Sequence, residues 1–244
     1  MRIEGRHAVV TGGGTGIGKA IARALAKEGS KVSLFGRRAE PLEATAGEIG
    51  AHAASCDVTD PLAVAEAMQS ACDRHGPVAI LVNNAGAASS APFARIEAET
   101  WRATMAVNLD GVFHCCRAAI GAMLDAGDGR IVTIASTAGL EGYAYTAPYC
   151  AAKHGAVGLM RALAAEYGAK GITANAVCPG FVDTEIVADA VRNIVAKTGR
   201  NAEEARGELA RMNPSGRLIR PEEVADAVVE MIQSERNGEA LEIS

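Results

Sequence analysis

Tyr149 and Lys153 stand four residues apart, in Tyr149-Cys-Ala-Ala-Lys153. On a helix that spacing puts a phenol and an ammonium on one face. A phenol with its ordinary pKa of about 10 is a poor acid or base at neutral pH. A cation beside it favours the phenolate, so Lys153 is expected to draw the Tyr149 pKa down. A shift of two units corresponds to about 2.7 kcal/mol, the order of energy that a close pair in a partly dry site supplies. Tyr-x-x-x-Lys alone is a common pattern, and a surface Tyr with a solvated Lys is its ordinary meaning. Two features argue for chemistry here. Lys153 lies in the otherwise apolar stretch Ala151–Leu159, and Ser136 lies 13 residues before Tyr149, just after the apolar run 130–135. A hydroxyl at the carboxyl end of a strand faces the ligand crevice of an α/β sheet. There it can hydrogen-bond a carbonyl and orient it for the Tyr.

A second cluster stands near the N-terminus. The apolar run His7-Ala-Val-Val-Thr11 is followed by Gly12-Gly-Gly-Thr15-Gly16-Ile17-Gly18 and then by an amphipathic stretch from Lys19 to Lys27. Strand, Gly-rich turn and helix are what a dinucleotide pyrophosphate needs: a tight turn, close backbone approach and free N–H groups at a positive helix end. Gly12, Thr15, Gly16, Ile17 and Gly18 are the candidate contacts. The second apolar run ends at Gly36, where an NAD-type site would carry an acidic residue for the ribose hydroxyls. Arg37 and Arg38 follow it. A guanidinium fork suits a 2′-phosphate, so NADP(H) is the expected cofactor, with NAD(H) as the second choice.

The elements that must hold these residues alternate. Apolar runs fall at 7–11, 31–35, 51–56, 79–83, 130–135, 172–178 and 240–243; helical periodicity fills 16–28, 40–49, 61–75, 101–126, 149–167 and 221–234. That alternation predicts an α/β fold of Rossmann type, a doubly wound parallel sheet of about seven strands with helices on both faces. A length of 244 residues suits a single domain spanning 1–244. The stretch 183–218 breaks the alternation: it is polar, helical and strandless. An insertion after the sixth strand hangs over the ligand-binding edge, and a substrate lid is expected there.

Composition removes several classes. Hydrophobic residues are 49% of the chain and the formal net charge is −5. No apolar run approaches the ~20 residues of a membrane span, no N-terminal signal region is evident, and no basic run suggests nucleic acid. The expected setting is the cytoplasm, with neither membrane nor nucleic acid as partner. Six scattered cysteines without C-x-x-C spacing read as buried reduced thiols, and no metal site is expected.

Taken together, Thr11-Gly12-x-x-x-Gly16-x-Gly18, Asn83-Asn84-Ala85-Gly86, Asn108 within Val107-Asn-Leu-Asp-Gly111, Ser136, Tyr149-x-x-x-Lys153 and Pro179-Gly180 resemble the short-chain dehydrogenases/reductases of the single-domain type, in order and over nearly the whole chain. The resemblance implies an oxidoreductase that interconverts a ketone and a secondary alcohol by hydride transfer. It implies Tyr149 as acid or base, Lys153 on the nicotinamide ribose, Ser136 on the carbonyl and Asn108 holding a water that links Lys153 to solvent. It also implies contacts from Asn84, Ala85 and Gly86 near the adenosine ribose, from Asp57 and Val58 at the adenine, and from Pro179, Gly180, Val182 and Thr184 near the nicotinamide amide. A basic residue after the second strand marks NADP-preferring members, although Thr15 stands where some of them carry another basic residue.

The segments 135–139, 147–155 and 171–181 look like aromatic-polyketide ketoreductases, 3-oxoacyl-thioester reductases and 3-hydroxybutyrate dehydrogenases. This implies a β-keto substrate, carried on CoA or acyl carrier protein, and a pocket drawing on Thr137, Leu140, Tyr143, Tyr145, Phe181 and Ile186. A cyclic alcohol, polyketide or sugar alcohol is the alternative substrate, and a catalytically silent dinucleotide-binding protein the alternative class. Arg192, Arg206 and Arg211 could meet a phosphopantetheine or CoA phosphate, but surface ion pairs with Glu203, Glu204 and Glu208 are the preferred reading. A homo-oligomer, tetramer or dimer, is implied by the resemblance alone. The chain ends at Leu241-Glu-Ile-Ser244 without the Gly-Gly tail of many members, in a region that bears on assembly and borders the substrate pocket.

Overall fold

In the first strand, β1 (His7–Thr11), Ala8 and Val10 face one side of the sheet and Val9 the other. The period of two persists in β4 (Ile80–Asn83), where Ile80 and Val82 oppose Leu81. It recurs in β6 (Ile172–Pro179), where Ala174, Ala176 and Cys178 oppose Val177. Both faces are apolar because both are covered, which is the condition of a parallel sheet. With β2 (Lys31–Gly36), β3 (His52–Ser55), β5 (Gly129–Ile134) and β7 (Ala240–Ile243), the strands form one seven-stranded sheet in the order β3-β2-β1-β4-β5-β6-β7. Every pairing is parallel. The computed structural model describes residues 1–244, without the side chain at position 197.

Helices fill the two faces. α1 (Gly16–Lys27), α2 (Ala39–Ile49) and α9 (Pro221–Gln233) cover one, through Ile21, Leu25, Leu42, Val228 and Ile232. α3 (Pro61–His75), α5 (Gly111–Ala126) and α6 (Ala147–Tyr167) cover the other, through Val64, Met68, Cys115, Met123 and Met160. Each fully buried aliphatic side chain contributes about 1.5–3 kcal/mol against solvent exposure. All six cysteines are free thiols; Cys56, Cys115, Cys116 and Cys178 are buried. No helix among the described residues is long and apolar enough to cross a membrane.

The periodic stretch expected as one helix over 101–126 is three pieces. α4 (Ala98–Met105) runs into a wider π turn, Ala106–Asp110, before α5 begins. The cause is Asn108: its amide donates to the Thr104 carbonyl at 3.0 Å and to the Ala87 carbonyl at 2.9 Å. A side chain bonded into the helical ladder widens it.

The segment 183–218 holds two helices, α7 (Glu185–Thr198) and α8 (Ala202–Arg211). Val187, Val191, Ala205 and Leu209 form a small core of their own, with Phe181 and Leu218 packed on it. A bridge between Val182 and Ile219 closes the base of the segment.

Candidate active site

The strand order reverses between β1 and β4, and a doubly wound sheet opens its ligand crevice at that point, beyond the carboxyl ends of the strands. Thr11 ties the two sides together. Its hydroxyl accepts the Asn84 and Ala85 N–H groups at 2.9 and 3.0 Å, and the Asn84 amide donates back to the Thr11 carbonyl at 2.9 Å. The Gly-rich turn runs directly above. A Cβ on Gly18 would collide with the Gly12 carbonyl and the Asn84 amide. Thr15 precedes α1 without capping it, and the first turn carries no acidic residue. The N–H groups of that turn and the positive helix end therefore remain available to an anion. This cradle fits the pyrophosphate of a dinucleotide.

Two further loops border the cradle. Thr184 stands directly before α7, and its methyl lies 3.3 Å from where a Gly16 Cβ would stand. Pro179 ends β6, the Gly180 N–H bonds the Ile243 carbonyl at 2.8 Å, and Val182 is buried beneath. Arg37 faces Asp57 at 3.8 Å, and Arg38 donates to Thr15 Oγ1 at 3.1 Å and Glu185 Oε2 at 3.0 Å. Asp57 also accepts from the Thr59 N–H and hydroxyl at 3.0 and 2.9 Å, and these bonds hold its carboxyl below the usual range. The Val58 side chain is buried and its carbonyl takes the His114 ring N–H at 3.0 Å.

The residues expected to carry acid–base chemistry meet at the carboxyl end of β5. Ser136 follows that strand and accepts the Ala138 N–H at 3.1 Å, capping the short 3-10 turn Thr137–Gly139. That turn packs on the start of α6, which carries Tyr149 and Lys153. Lys153 is 4% exposed; its ammonium donates to the Ile134 carbonyl at 2.8 Å and sits 5.6 Å from the Tyr149 ring centre. Gly86 comes close enough that a Cβ there would stand 2.8 Å from Asn108 Oδ1 and 3.6 Å from Lys153 Nζ. Ser136, Tyr149, Lys153, Asn108 and Gly86 therefore occupy one place.

The electrostatics correct the expectation of a lowered phenol pKa. Burial pushes Tyr149 up to about 12, against a hydrogen bond to Ser136 that acts the other way. Burial pushes Lys153 down to about 8, partly offset by the neighbouring Cys178 thiol. Desolvation penalises the charged form of each. The ammonium is directed at a backbone carbonyl rather than at the phenol oxygen, so the cation does not offset the loss of water around a phenolate. Asn108 also braces the site. Both ends of its amide are committed, to Ala87 and Thr104, and it splints the loop after β4 to the π turn.

Among the substrate candidates, Thr137, Tyr143 and Phe181 come together. The Tyr143 hydroxyl donates to Glu141 Oε1 at 2.8 Å and lies 3.0 Å from Thr137 Oγ1, and its ring meets Phe181 edge-on at 6.4 Å. Leu140, Tyr145 and Ile186 are exposed. Two of the three arginines singled out in 183–218 form ion pairs, with other partners than expected: Arg192 with Asp189 and Arg206 with Asp183; among the described residues Arg211 has none, and the expected acid Glu208 pairs with Arg200. Glu204 instead closes the capping box of α8 with Asn201. Sequence reasoning missed Thr11 as the brace of the crevice; a β-branched hydroxyl at the last position of the first strand is the signal that points to it. It also missed Glu185 and Asp57 as partners of the two arginines, because both lie far away in the chain.

Comparison with known proteins agrees with this architecture. The family model described as short chain dehydrogenase matches residues 6–194. The chain is 38% identical to the D-threitol dehydrogenase of Mycolicibacterium smegmatis over 236 residues, 94% of this chain and 86% of that one. It is 34% identical to the 3-oxoacyl-acyl-carrier-protein reductase FabG of Escherichia coli (strain K12), over 100% of this chain and 98% of that one. Among solved structures, a single-substitution variant of actinorhodin polyketide ketoreductase with NADPH superposes with a TM-score of 0.94 at 37% identity, covering 100% of this chain and 97% of the other. With matches of this extent, on a sheet of this order, the chain belongs to the short chain dehydrogenase family.

Proposed function

We propose that this protein interconverts a ketone and a secondary alcohol by hydride transfer, and that its substrate is a β-keto compound such as a 3-oxoacyl thioester on CoA or acyl carrier protein. The observation that carries the reading is the convergence of Ser136, Tyr149 and Lys153 at the end of β5, beside the glycine cradle. A bound nicotinamide dinucleotide supplies the hydride or takes it up. Ser136 and Tyr149 direct hydroxyls at the substrate oxygen, where negative charge grows during reduction. Tyr149 gives that oxygen its proton, and takes it back in alcohol oxidation. A phenol near 12 keeps its proton at neutral pH, which suits the acid role. Lys153 holds the nicotinamide ribose, with its ammonium anchored on the Ile134 carbonyl.

NADP(H) is the preferred cofactor in this reading. Support comes from Gly36 in place of an acidic residue, from Arg37 and Arg38 beside the crevice, and from the NADPH in the related ketoreductase. Segment 183–218 serves as the substrate lid in this reading, supported by the nearness of Thr184 to Gly16 and by the contact of Phe181, at its base, with Tyr143. The protein works in the cytoplasm as a homo-oligomer; Trp101 on α4 and Phe113 on α5, 40% and 46% exposed, support an assembly surface.

A second reading has its own support: the chain Thr137–Tyr143–Glu141 gives the pocket wall hydrogen-bonding groups that suit a polyol, and one relative is a D-threitol dehydrogenase. The test is NADPH and NADH consumption with acetoacetyl-CoA, alongside D-threitol oxidation with NADP+ and NAD+. Fast NADPH-dependent reduction of acetoacetyl-CoA is expected. D-threitol oxidation without thioester reduction would replace the first reading with the second.

A further inference from the structure

We propose that Glu185, the first residue of α7, is a specificity-determining residue for the dinucleotide: it competes with a 2′-phosphate for Arg38. The proposal rests on the reading of Arg37 and Arg38 as the 2′-phosphate site.

Three elements meet at Arg38. The residue precedes α2, its guanidinium donates to Thr15 at the head of α1, and the same nitrogen donates to the Glu185 carboxylate at 3.0 Å. Thr184, the neighbour of Glu185, lies near the Gly-rich turn, 3.3 Å from where a Gly16 Cβ would stand. The carboxylate therefore stands at the mouth of the cradle, on the side where the arginines lie. Both hydrogens of Arg38 Nη2 are committed, to Thr15 and to Glu185, so a phosphate that binds through that edge of the guanidinium competes with the carboxylate. A Glu carboxylate in hydrogen-bond reach of that guanidinium is also within a few ångström of any phosphate on it, and like charges at that range repel. A dinucleotide without the 2′-phosphate makes no such demand and leaves the pair intact.

Arg37 provides the contrast. Its partner Asp57 is farther, at 3.8 Å, and Asp57 is held by Thr59. Arg37 can turn to a phosphate while its acid stays in place, whereas Arg38 receives a phosphate with a carboxylate already on its guanidinium. The pair also ties 183–218 to the dinucleotide site, since α7 opens that segment. A phosphate that displaces Glu185 releases this tether, so the attachment of the segment reads which dinucleotide is bound.

The two side chains are 62% and 63% exposed, which screens the competition and sets its size. The experiment is fluorescence titration of NADPH and NADH binding, without substrate, to the wild type, Glu185→Gln, Arg38→Ala, their double variant and Arg37→Ala. Glu185→Gln is expected to tighten NADPH by about 2- to 5-fold and to leave NADH unchanged, with the gain shrinking at high salt. Arg38→Ala should abolish the effect of Glu185→Gln in the double variant. An unchanged ratio of NADPH to NADH affinity in Glu185→Gln overturns the proposal. If Arg37→Ala meanwhile weakens NADPH, the 2′-phosphate site stands and only the competition is wrong. If neither arginine substitution affects NADPH, the site reading fails and the proposal falls with it.

Discussion

At Tyr149, burial and proton transfer make opposite demands. The site must exclude water to strengthen its hydrogen bonds, and that exclusion raises the phenol to about 12 while lowering Lys153 to about 8. A neutral phenol suits ketone reduction, and the ammonium is the group whose charge changes nearest to neutrality. With Tyr149 as the proposed proton donor, Tyr149→Phe should lower turnover by about 10³-fold or more in steady-state assays and leave dinucleotide binding intact. The pH profile carries a second signature. A Lys lowered to about 8 is charged below that pH and neutral above it, so reduction kcat/KM should fall as pH rises through about 8. Lys153→Arg, which stays charged, should remove that fall. A flat profile across pH 8 in the wild type would dissociate Lys153 from the chemistry.

At the scale of elements, close approach is what the glycines provide. Gly18 lets α1 start directly against the Gly12 carbonyl and the Asn84 amide. Both neighbours are held in place, one by the backbone and the other by its bonds to Thr11 and Gly12. Gly18→Ala should therefore destabilise the fold by about 1–3 kcal/mol, read as a lower Tm, and should weaken NADPH and NADH alike because the pyrophosphate cradle shifts. Loss of NADPH affinity alone would assign Gly18 to the 2′-phosphate region instead. The π turn is the other case. Hydrophobic period marks 101–126 as helical, and helical it is, but its register changes where Asn108 bonds across to Ala87. No local pattern announces that change, because Ala87 lies on another loop.

At the scale of the molecule, the two ends of the sheet have different tasks. The candidate active site lies at the carboxyl ends; at the other end His7, His52 and His75 cluster, with ring centres 5.3 and 6.4 Å apart. His7 donates through Nδ1 to the Gly76 carbonyl at 2.7 Å, so Nε2 is the acceptor of the Ser33 hydroxyl at 2.9 Å. This arrangement needs the neutral ring. Burial lowers His7 to about 4, with the Gly76 bond opposing and His75, His52 and Lys31 adding to the lowering; burial and Arg74 lower His75 as well. In the unfolded chain His titrates near 6.5. Folding thus favours the neutral form, and its contribution is complete above pH 6.5 and lost as pH falls from there toward 4. The loss for His7 amounts to about 3 kcal/mol at most. Denaturant unfolding at stepped pH should show this decline, and His7→Gln should flatten it at the cost of lower stability at neutral pH. An identical slope in the variant would place the acid sensitivity elsewhere.

Spacing and local context singled out Tyr149 with Lys153, the glycine turn and the alternation that makes a doubly wound sheet. These are local matters: one helix turn, one strand-to-helix corner, and a period of two or 3.6 residues over a short window. The strand boundaries agree to within a residue or so for the same reason. What the tertiary structure decided depends on partners far apart in the chain. Ile134 takes the Lys153 ammonium, Ala87 takes Asn108, Glu185 takes Arg38, and burial moves the phenol upward where the pair by itself suggested downward. Charge and solvent reach across the fold, so a pKa or an ion pair is a property of everything packed around a group, and that surrounding exists only once seven strands and their helices have closed over it.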